Sequence, residues 1–552
     1  MRWTRPQGNA SRLHGMGFPL LSGALLLLCF PPLHLLVPPL VALVPWAVWL
    51  HGLPGGREGA RSALRGGLLL GGVYFGGLLY WVAYSLLDYS WVAPLGYLGI
   101  VGVLTLVLGG VSWAGHRIHH TAGVPLWLTV PLVWTGGEWV QAHLGDLDFP
   151  WLGLGTSLTG FPELVGVAEL VGARGVTFWL AAINGLGAAL VVALGRTSPS
   201  GHRLAGWQVL SSVLALVMTV PAFWGVWRAS TLELVPVAQV AVAQPGISQE
   251  LKRQGPVGID STLQVMDAIF ESLKPGSVDL VVWPEVALMQ PLGHPAFRET
   301  EERVARFSSR VGAPVVLGAF GAETVPEGEP IFYNSAFRVD PWGLDPGFRY
   351  DKRHLVFLTE RTPSLIPGRI RDLLAFLGLD GTGIGSGGVL GTRGMGEGTG
   401  LPLTRAGDVT YGVVICFESA FAPTVRGLRR EGAQVLLNLT NDAWFGGEPW
   451  YTRTTAIWQH PAHLVMRAIE NRIGVARAAN TGISLFVDPL GRVHGALPFG
   501  ETGYRSAQLF TTGEATLYTR TGDVVGWGAS LSVLLLLLAS VPVRKARPER
   551  PG

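Results

Sequence analysis

Charge is scarce in this 552-residue chain: Asp, Glu, Lys and Arg supply 14% of it, and the formal net charge is only +3. So slight a basic excess leaves no footprint for nucleic acid. Cysteine is scarcer still, with Cys29 and Cys416 alone. Cys29 lies in an apolar run near the N-terminus and Cys416 in a distant, more polar region, so no disulfide framework is available. There is no internal repeat and no zinc-type ligand spacing. What the chain does have is apolar surface. Hydrophobic residues make up 48% of it, which is unusual for a soluble protein of this size.

The apolar residues are unevenly spread. They dominate up to about Trp227, thin out until about Gly513, and return once near the end. A spanning helix needs about 20 apolar residues. Stretches 68–87, 92–113, 124–140, 177–194, 209–227 and 524–541 are candidates. The run 18–50 is too long for one span and is broken by Pro31-Pro32 and Pro38-Pro39, so it reads as two short spans meeting at the first proline pair. Arg2, Arg5 and Arg12 precede that run, and Arg57, Arg61 and Arg65 follow it. Basic flanks favour the cytoplasmic side, so an even number of crossings separates them. Arg117 and the Arg196/Arg203 pair then share that side, and Glu138, Asp146, Asp148, Glu163 and Glu169 face the other.

The expected architecture is a polytopic α-helical membrane domain of eight spans plus an outer α/β domain. Spans 1–7 occupy residues 1–230, the outer domain 231–515, and the eighth span with a basic cytoplasmic tail 516–552. Both termini are then cytoplasmic. A cleavable signal peptide is at odds with so many later spans.

Strand and helix patterns alternate through the outer region. Strands are expected at 235–243, 278–283, 314–318, 335–339, 409–415, 435–439 and 483–488, and helices at 262–273, 295–311 and 454–471. That pattern makes one large α/β domain. The glycine-rich stretch 381–400 reads as a flexible loop able to cover a site.

Four motifs in this region carry chemistry. Val281-Val-Trp283-Pro284-Glu285 puts a carboxylate just past a strand that proline ends, either at a ligand-binding strand mouth or as a surface cap. Tyr350-Asp-Lys352-Arg-His354 is a charge cluster in apolar surroundings; it could supply an ammonium beside a thiolate or be an ordinary solvated run. Cys416-Phe417-Glu418 ends an apolar, β-branched strand and presents either a nucleophile or a buried structural thiol. Asn438-Leu-Thr-Asn441-Asp442-Ala-Trp444-Phe445-Gly446 could shape a pocket or form an Asx-type turn. His460 and His463 form a His-x-x-His pair with no third ligand placed, which does not make a metal site.

The order Glu285, Lys352, Cys416 resembles the Glu–Lys–Cys triad of the nitrilase (carbon–nitrogen hydrolase) superfamily. Trp-Pro-Glu285, Tyr-Asp-Lys352-Arg-His-Leu-Val, Cys416-Phe-Glu, Asn441-Asp-Ala-Trp-Phe-Gly and Arg477-Ala-Ala-Asn480-Thr-Gly-Ile-Ser together resemble its membrane branch, the apolipoprotein N-acyltransferases. Phe149-Pro-Trp151 and Leu517-Tyr-Thr-Arg520-Thr-Gly-Asp523 are also similar to family segments.

The resemblance implies an α-β-β-α sandwich on the periplasmic face of a bacterial inner membrane, between the seventh and eighth spans. It implies acyl transfer from a membrane phospholipid, through a cysteine thioester, to the α-amino group of a diacylglyceryl apolipoprotein. Glu285, Lys352 and Cys416 are then catalytic, with Glu360, Phe417 and Glu418 in support. Trp283, Asn441, Trp444 and Trp151 are expected around the substrate pocket, with tryptophan favouring the membrane interface. No metal or organic cofactor is implied. Two positions depart from the family pattern: Phe417 stands where tyrosine is common, and Arg253 where some members have tryptophan.

Overall fold

A computed structural model describes residues 9–87, 93–195, 204–325, 330–356, 359–361, 395–447 and 450–540. The expected loop at 381–394 and the basic tail lie outside the described residues; 395–400 is irregular chain.

The first apolar run folds as helix Asn9–Leu27, then short helices Pro38–Val41 and Val44–Gly52. The first helix stops before Pro31-Pro32, because a proline supplies no amide proton to continue it. Further helices are Gly56–Leu78, Tyr80–Leu87, Ala93–His120, Leu126–Gln141, Ala168–Leu194, Leu204–Thr231 and, after the α/β region, Val524–Ala539. Among the described residues three segments are long and apolar enough to cross a membrane by length and composition: Pro94–His120, Ala168–Leu194 and Gly206–Thr231. Gly15–Leu27 and Val524–Ala539 are shorter apolar helices.

The expected stretch 68–87 is not one helix. It divides at Leu79, and its first part continues back to Gly56 through Arg57, Glu58, Arg61 and Arg65, whose charges lower its hydropathy. Helices Gly56–Leu78 and Ala93–His120 approach closely because Gly67 has no side chain: a Cβ there would meet the Leu108 carbonyl oxygen at 2.5 Å. Large side chains such as Leu106, Leu216 and Phe223 face outward, as lipid-facing residues do.

Glu138, the main carboxylate inside these helices, is fully hydrogen-bonded. It accepts from Leu154 N at 2.7 Å, Thr177 Oγ1 at 2.7 Å and Trp134 Nε1 at 3.0 Å. Its bonds tie neighbouring segments together. Glu169 likewise joins two parts of the molecule, pairing with Arg228 at 2.7 Å and with Arg472 of the α/β region at 2.8 Å.

Among the described residues thirteen strands form two sheets. They are β1 Val235–Gln244, β2 Leu280–Val282, β3 Leu288–Pro291, β4 Val315–Glu323, β5 Ile331–Asp340, β6 Gly343–Asp351, β7 Leu403–Ala406, β8 Val409–Ile415, β9 Val435–Thr440, β10 Gly474–Ala479, β11 Ser484–Val487, β12 Val493–Leu497 and β13 Gly503–Thr511. One sheet runs β13-β1-β2-β4-β5-β6 with β3 beside β4; the other runs β12-β11-β10-β9-β8-β7. In the first, β1, β2 and β4 are parallel, and in the second β8, β9 and β10 are.

The sheets pack face to face through Val240, Val282, Val316 and Tyr350 on one side and Val413, Ile415, Leu437 and Phe486 on the other. Helices Pro256–Ile269 and Arg298–Val311 cover the outer face of the first sheet through Leu263, Met266, Val304 and Phe307. Helices Ala422–Arg430 and Ala456–Asn471 cover the second, and their cluster runs on into the long apolar helices. The result is the α-β-β-α sandwich of the nitrilase type. Parallel strands buried on both faces explain why β8 and β9 read as mostly apolar runs.

Candidate active site

Parallel strands bring their C-terminal ends to one mouth, and three chain segments leave polar groups there. β2 ends at Val282; Trp283 and Pro284 follow it and carry Glu285 toward the second sheet, where it meets Asn441 N. Gly318 lies under this turn so closely that a Cβ would meet Val286 N at 2.5 Å. Lys352 follows the last residue of β6, held by its own N–H donating to Asn334 O at 2.8 Å. Cys416 follows β8 and has φ +52°, a left-handed conformation that costs a non-glycine residue about 1–3 kcal/mol and often marks a functional turn. Val286, next to Glu285, is left-handed too, at φ +43°.

The three side chains share one buried cluster. Lys352 Nζ donates to Glu285 Oε1 at 3.2 Å and to Glu360 Oε1 at 2.9 Å. Asn334 Nδ2 donates to the same two oxygens, at 2.7 and 2.9 Å. Asn441 N donates to Glu285 Oε2 at 2.9 Å, and Val356 N to Glu360 Oε2 at 2.7 Å. Burial alone would lower the Lys352 ammonium, but the Glu285 and Glu360 carboxylates more than reverse that and hold it well above its usual range. Burial, followed by the Glu285 carboxylate, pushes the Cys416 thiol up against the opposing pull of Lys352. The resting sulfur is therefore a thiol, and a base must take its proton before it can attack.

Glu418 is a structural clamp. It accepts from Ile415 N at 2.7 Å, Arg353 N at 2.7 Å and Tyr350 Oη at 2.8 Å, so it ties the Lys352 segment to the Cys416 turn. Behind the turn, His460 lies 3.0 Å from Cys416 O and 2.9 Å from Asp442 Oδ1, and Arg477 pairs with Asp442 Oδ2 at 2.5 Å. His463 lies tilted against Trp151, with ring centroids 4.4 Å apart. Both histidines thus sit against protein groups, and no cluster of three or more ligand side chains that could hold a metal occurs among the described residues.

A cavity of about 500 Å3 opens beside these groups. Its wall includes Glu285, Lys352, Glu360, Cys416, Phe417, Asn441 and Trp444 from the α/β region and Trp81, Phe149 and Trp151 from the helical part. Trp151 is fully buried and donates to Gln459 Oε1 at 3.0 Å. Phe417 packs between Phe149, Trp151 and Phe421, with centroids 5.1 to 5.8 Å away. In that aromatic setting a phenyl ring leaves no hydroxyl to satisfy, which gives the Phe417 departure a physical reason.

Trp283 is the exception among the expected pocket residues. It lies on the helix-covered face of its sheet, fully buried against Phe307 with centroids 5.1 Å apart, and does not line the cavity. Side chains alternate along a strand, so Trp283 shares the face of Val281 and points away from the site.

Three residues of the site belong to no motif singled out for chemistry. Asn334 bridges both carboxylates from the middle of β5, and its mark in the sequence is an amide inside an apolar strand. Gln249 and Lys252 also line the cavity.

Residues 22–186 match the apolipoprotein N-acyltransferase N-terminal domain, and residues 239–515 match the carbon–nitrogen hydrolase family. An apolipoprotein N-acyltransferase of Geobacter metallireducens is 30% identical over 519 residues, covering 92% of this chain and 91% of that protein. One of Bradyrhizobium diazoefficiens is 30% identical over 545 residues, covering 95% and 94%. A solved amidase from Nesterenkonia sp. aligns with 53% of this chain and 95% of its own, at 17% identity and a TM-score of 0.36. With both domains present in order and relatives matched almost end to end, the chain belongs to the apolipoprotein N-acyltransferase family.

Proposed function

We propose that this protein moves an acyl chain from a membrane phospholipid, through a thioester on Cys416, to the α-amino group of a diacylglyceryl apolipoprotein. One observation carries the reading: a buried carboxylate, ammonium and thiol share a cavity walled partly by the helical region. Glu285 takes the Cys416 proton, and the sulfur attacks the ester carbonyl. Lys352 and the Phe417 N–H stabilise the oxyanion, a contribution of about 3–4 kcal/mol per donor in well-studied hydrolases. The C–O bond then breaks, Glu285 returns the proton to the departing lysophospholipid, and the thioester remains. A neutral amine attacks that thioester, the C–S bond breaks, and the amine's proton returns to the sulfur by way of Glu285. Glu360 and Glu418 keep Lys352 and the Cys416 turn in register, and Trp151, Trp444 and Asn441 shape the pocket. No step calls for a metal or organic cofactor.

Both substrates stay in the bilayer, so the site must open near its surface. The arginine pattern supports eight crossings in a bacterial inner membrane, with both termini cytoplasmic and the catalytic domain outside. On this reading residues 1–230 hold spans 1–7, residues 231–515 the catalytic domain, and residues 516–552 the returning span and tail. The test uses the full chain in phospholipid vesicles with a diacylglyceryl lipopeptide. The expected products are N-acylated peptide and one lysophospholipid per transfer. Ammonia released from small amides, with no acyl transfer, would instead mark a membrane-anchored amidase.

A further inference from the structure

Lys252 is a buried cation that the reaction just described does not use. It is 3% exposed and belongs to the short helix Gln249–Lys252, which Ser248 Oγ caps by accepting from Leu251 N. An ammonium has three N–H donors. Among the described residues one is used, by Val286 O at 3.1 Å.

Among the described residues every other buried arginine or lysine has a carboxylate within reach. Lys352 has Glu285 and Glu360, Arg467 has Glu470, Arg472 has Glu169, and Arg477 has Asp442. Lys252 makes no such ion pair among the described residues. A buried charge is costly unless it is paired, and burial accordingly pushes this ammonium down to about 8, against the partial support of Glu285.

A second unused donor lies close by in sequence. Gln249 Nε2 is buried and has no hydrogen-bond partner among the described residues. Both side chains line the cavity that holds Cys416. The other cavity cations are engaged: Lys352 by two carboxylates, and Arg361 by Asp146 and Glu397. Lys252 and Gln249 thus set free donors around a positive charge that has no ion pair among the described residues. Such a corner suits a tetrahedral oxyanion, which accepts from several donors and neutralises the ammonium. It does not suit the acceptor's amine, which a nearby cation would keep from approaching in protonated form.

We propose that Lys252, together with Gln249, is the phosphate subsite of the acyl donor: it selects a phosphate-bearing lipid over a neutral one and sets its ester beside Cys416. This rests on the acyl-transfer reading above. It makes Lys252 a specificity residue for the first half-reaction, with no part in the second.

The test compares two donors with the same acyl chains, a phospholipid and a neutral diacylglycerol, by the rate of thioester formation on full-length protein in detergent micelles. In Lys252→Met the phospholipid-to-diacylglycerol rate ratio should fall by at least about tenfold, the size of one lost charge-assisted hydrogen bond. The KM for phospholipid should rise, and Lys252→Arg should restore most of the ratio. An equal loss with both donors would mean that Lys252 only holds the Val286 turn, and would overturn the proposal. So would an unchanged ratio, or a defect confined to discharge of a preformed thioester by lipopeptide. If wild-type Cys416 takes acyl groups from neither donor, the failure lies with the acyl-transfer reading itself.

Discussion

Lys352→Met should reduce acyl transfer by about a thousandfold or more and also lower the folded stability of the catalytic domain. Two effects combine in the rate. The oxyanion loses a donor, which alone is worth about 10²–10³. The Cys416 thiol also loses the one neighbouring group whose charge opposes its upward shift, since burial, Glu285 and Asp442 all act the other way. The stability effect has a separate origin. Lys352 lies between Glu285 and Glu360, at 3.2 and 2.9 Å, with its side chain 1% exposed. Methionine has nearly the same length but leaves two buried carboxylates without a cation, and breaking such a pair costs about 3–5 kcal/mol. Thermal unfolding and the transfer rate should therefore fall together in the single variant. They should separate in Lys352→Met/Glu360→Gln, where stability recovers in part and activity does not. A single variant that transfers within tenfold of the normal rate would remove Lys352 from the reaction.

Glu285→Gln should slow formation of the acyl-enzyme by about a thousandfold, within the usual range of about 10²–10⁴ for loss of a positioned base. The surroundings make glutamine a poor replacement even as a spacer. Glu285 Oε1 accepts from Asn334 Nδ2 and Lys352 Nζ, and Oε2 accepts from Asn441 N. All three neighbours are donors, so a side-chain NH₂ there must face at least one other N–H. With no group to take the sulfur's proton, the thiol stays protonated. Single-turnover measurement of lysophospholipid release checks this. A normal burst in Glu285→Gln would mean that another group is the base.

The chain reveals its chemistry more readily than its geometry. Cys416 was legible because Val409–Ile415 is a mostly apolar strand, and because the Glu285 and Lys352 motifs turned a thiol that alone could be structural into part of a family pattern. Glu285 and Lys352 were legible through the motifs around them. Asn334 was not, because its partners are 49 and 26 residues away and nothing local distinguishes it from a strand amide bonded to backbone. Lys252 stood out in the sequence only as the neighbour of the Arg253 departure, because its lack of an ion pair among the described residues is a property of the fold.

Trp283 shows the opposite failure. Its place beside Pro284-Glu285 suggested the pocket, but strand alternation turns it to the helix face. In the helical part, proline pairs located the break in the first apolar run correctly. The division at Leu79 had no such signal, since a hydropathy pattern does not register a local change of helix direction. The strand β13 is mostly half-buried or exposed at a sheet edge, so it lacks the apolar run a central strand would show.

The central claim is that the Cys416 sulfur carries the acyl chain between two lipids. Its most direct test is the mass of the Cys416 peptide after the full-length protein meets phospholipid without acceptor. The account predicts a gain of one acyl group on that peptide, lost on addition of diacylglyceryl lipopeptide and absent in Cys416→Ser. Steady acyl transfer with no acyl group on Cys416, or with the group on another residue, would contradict it.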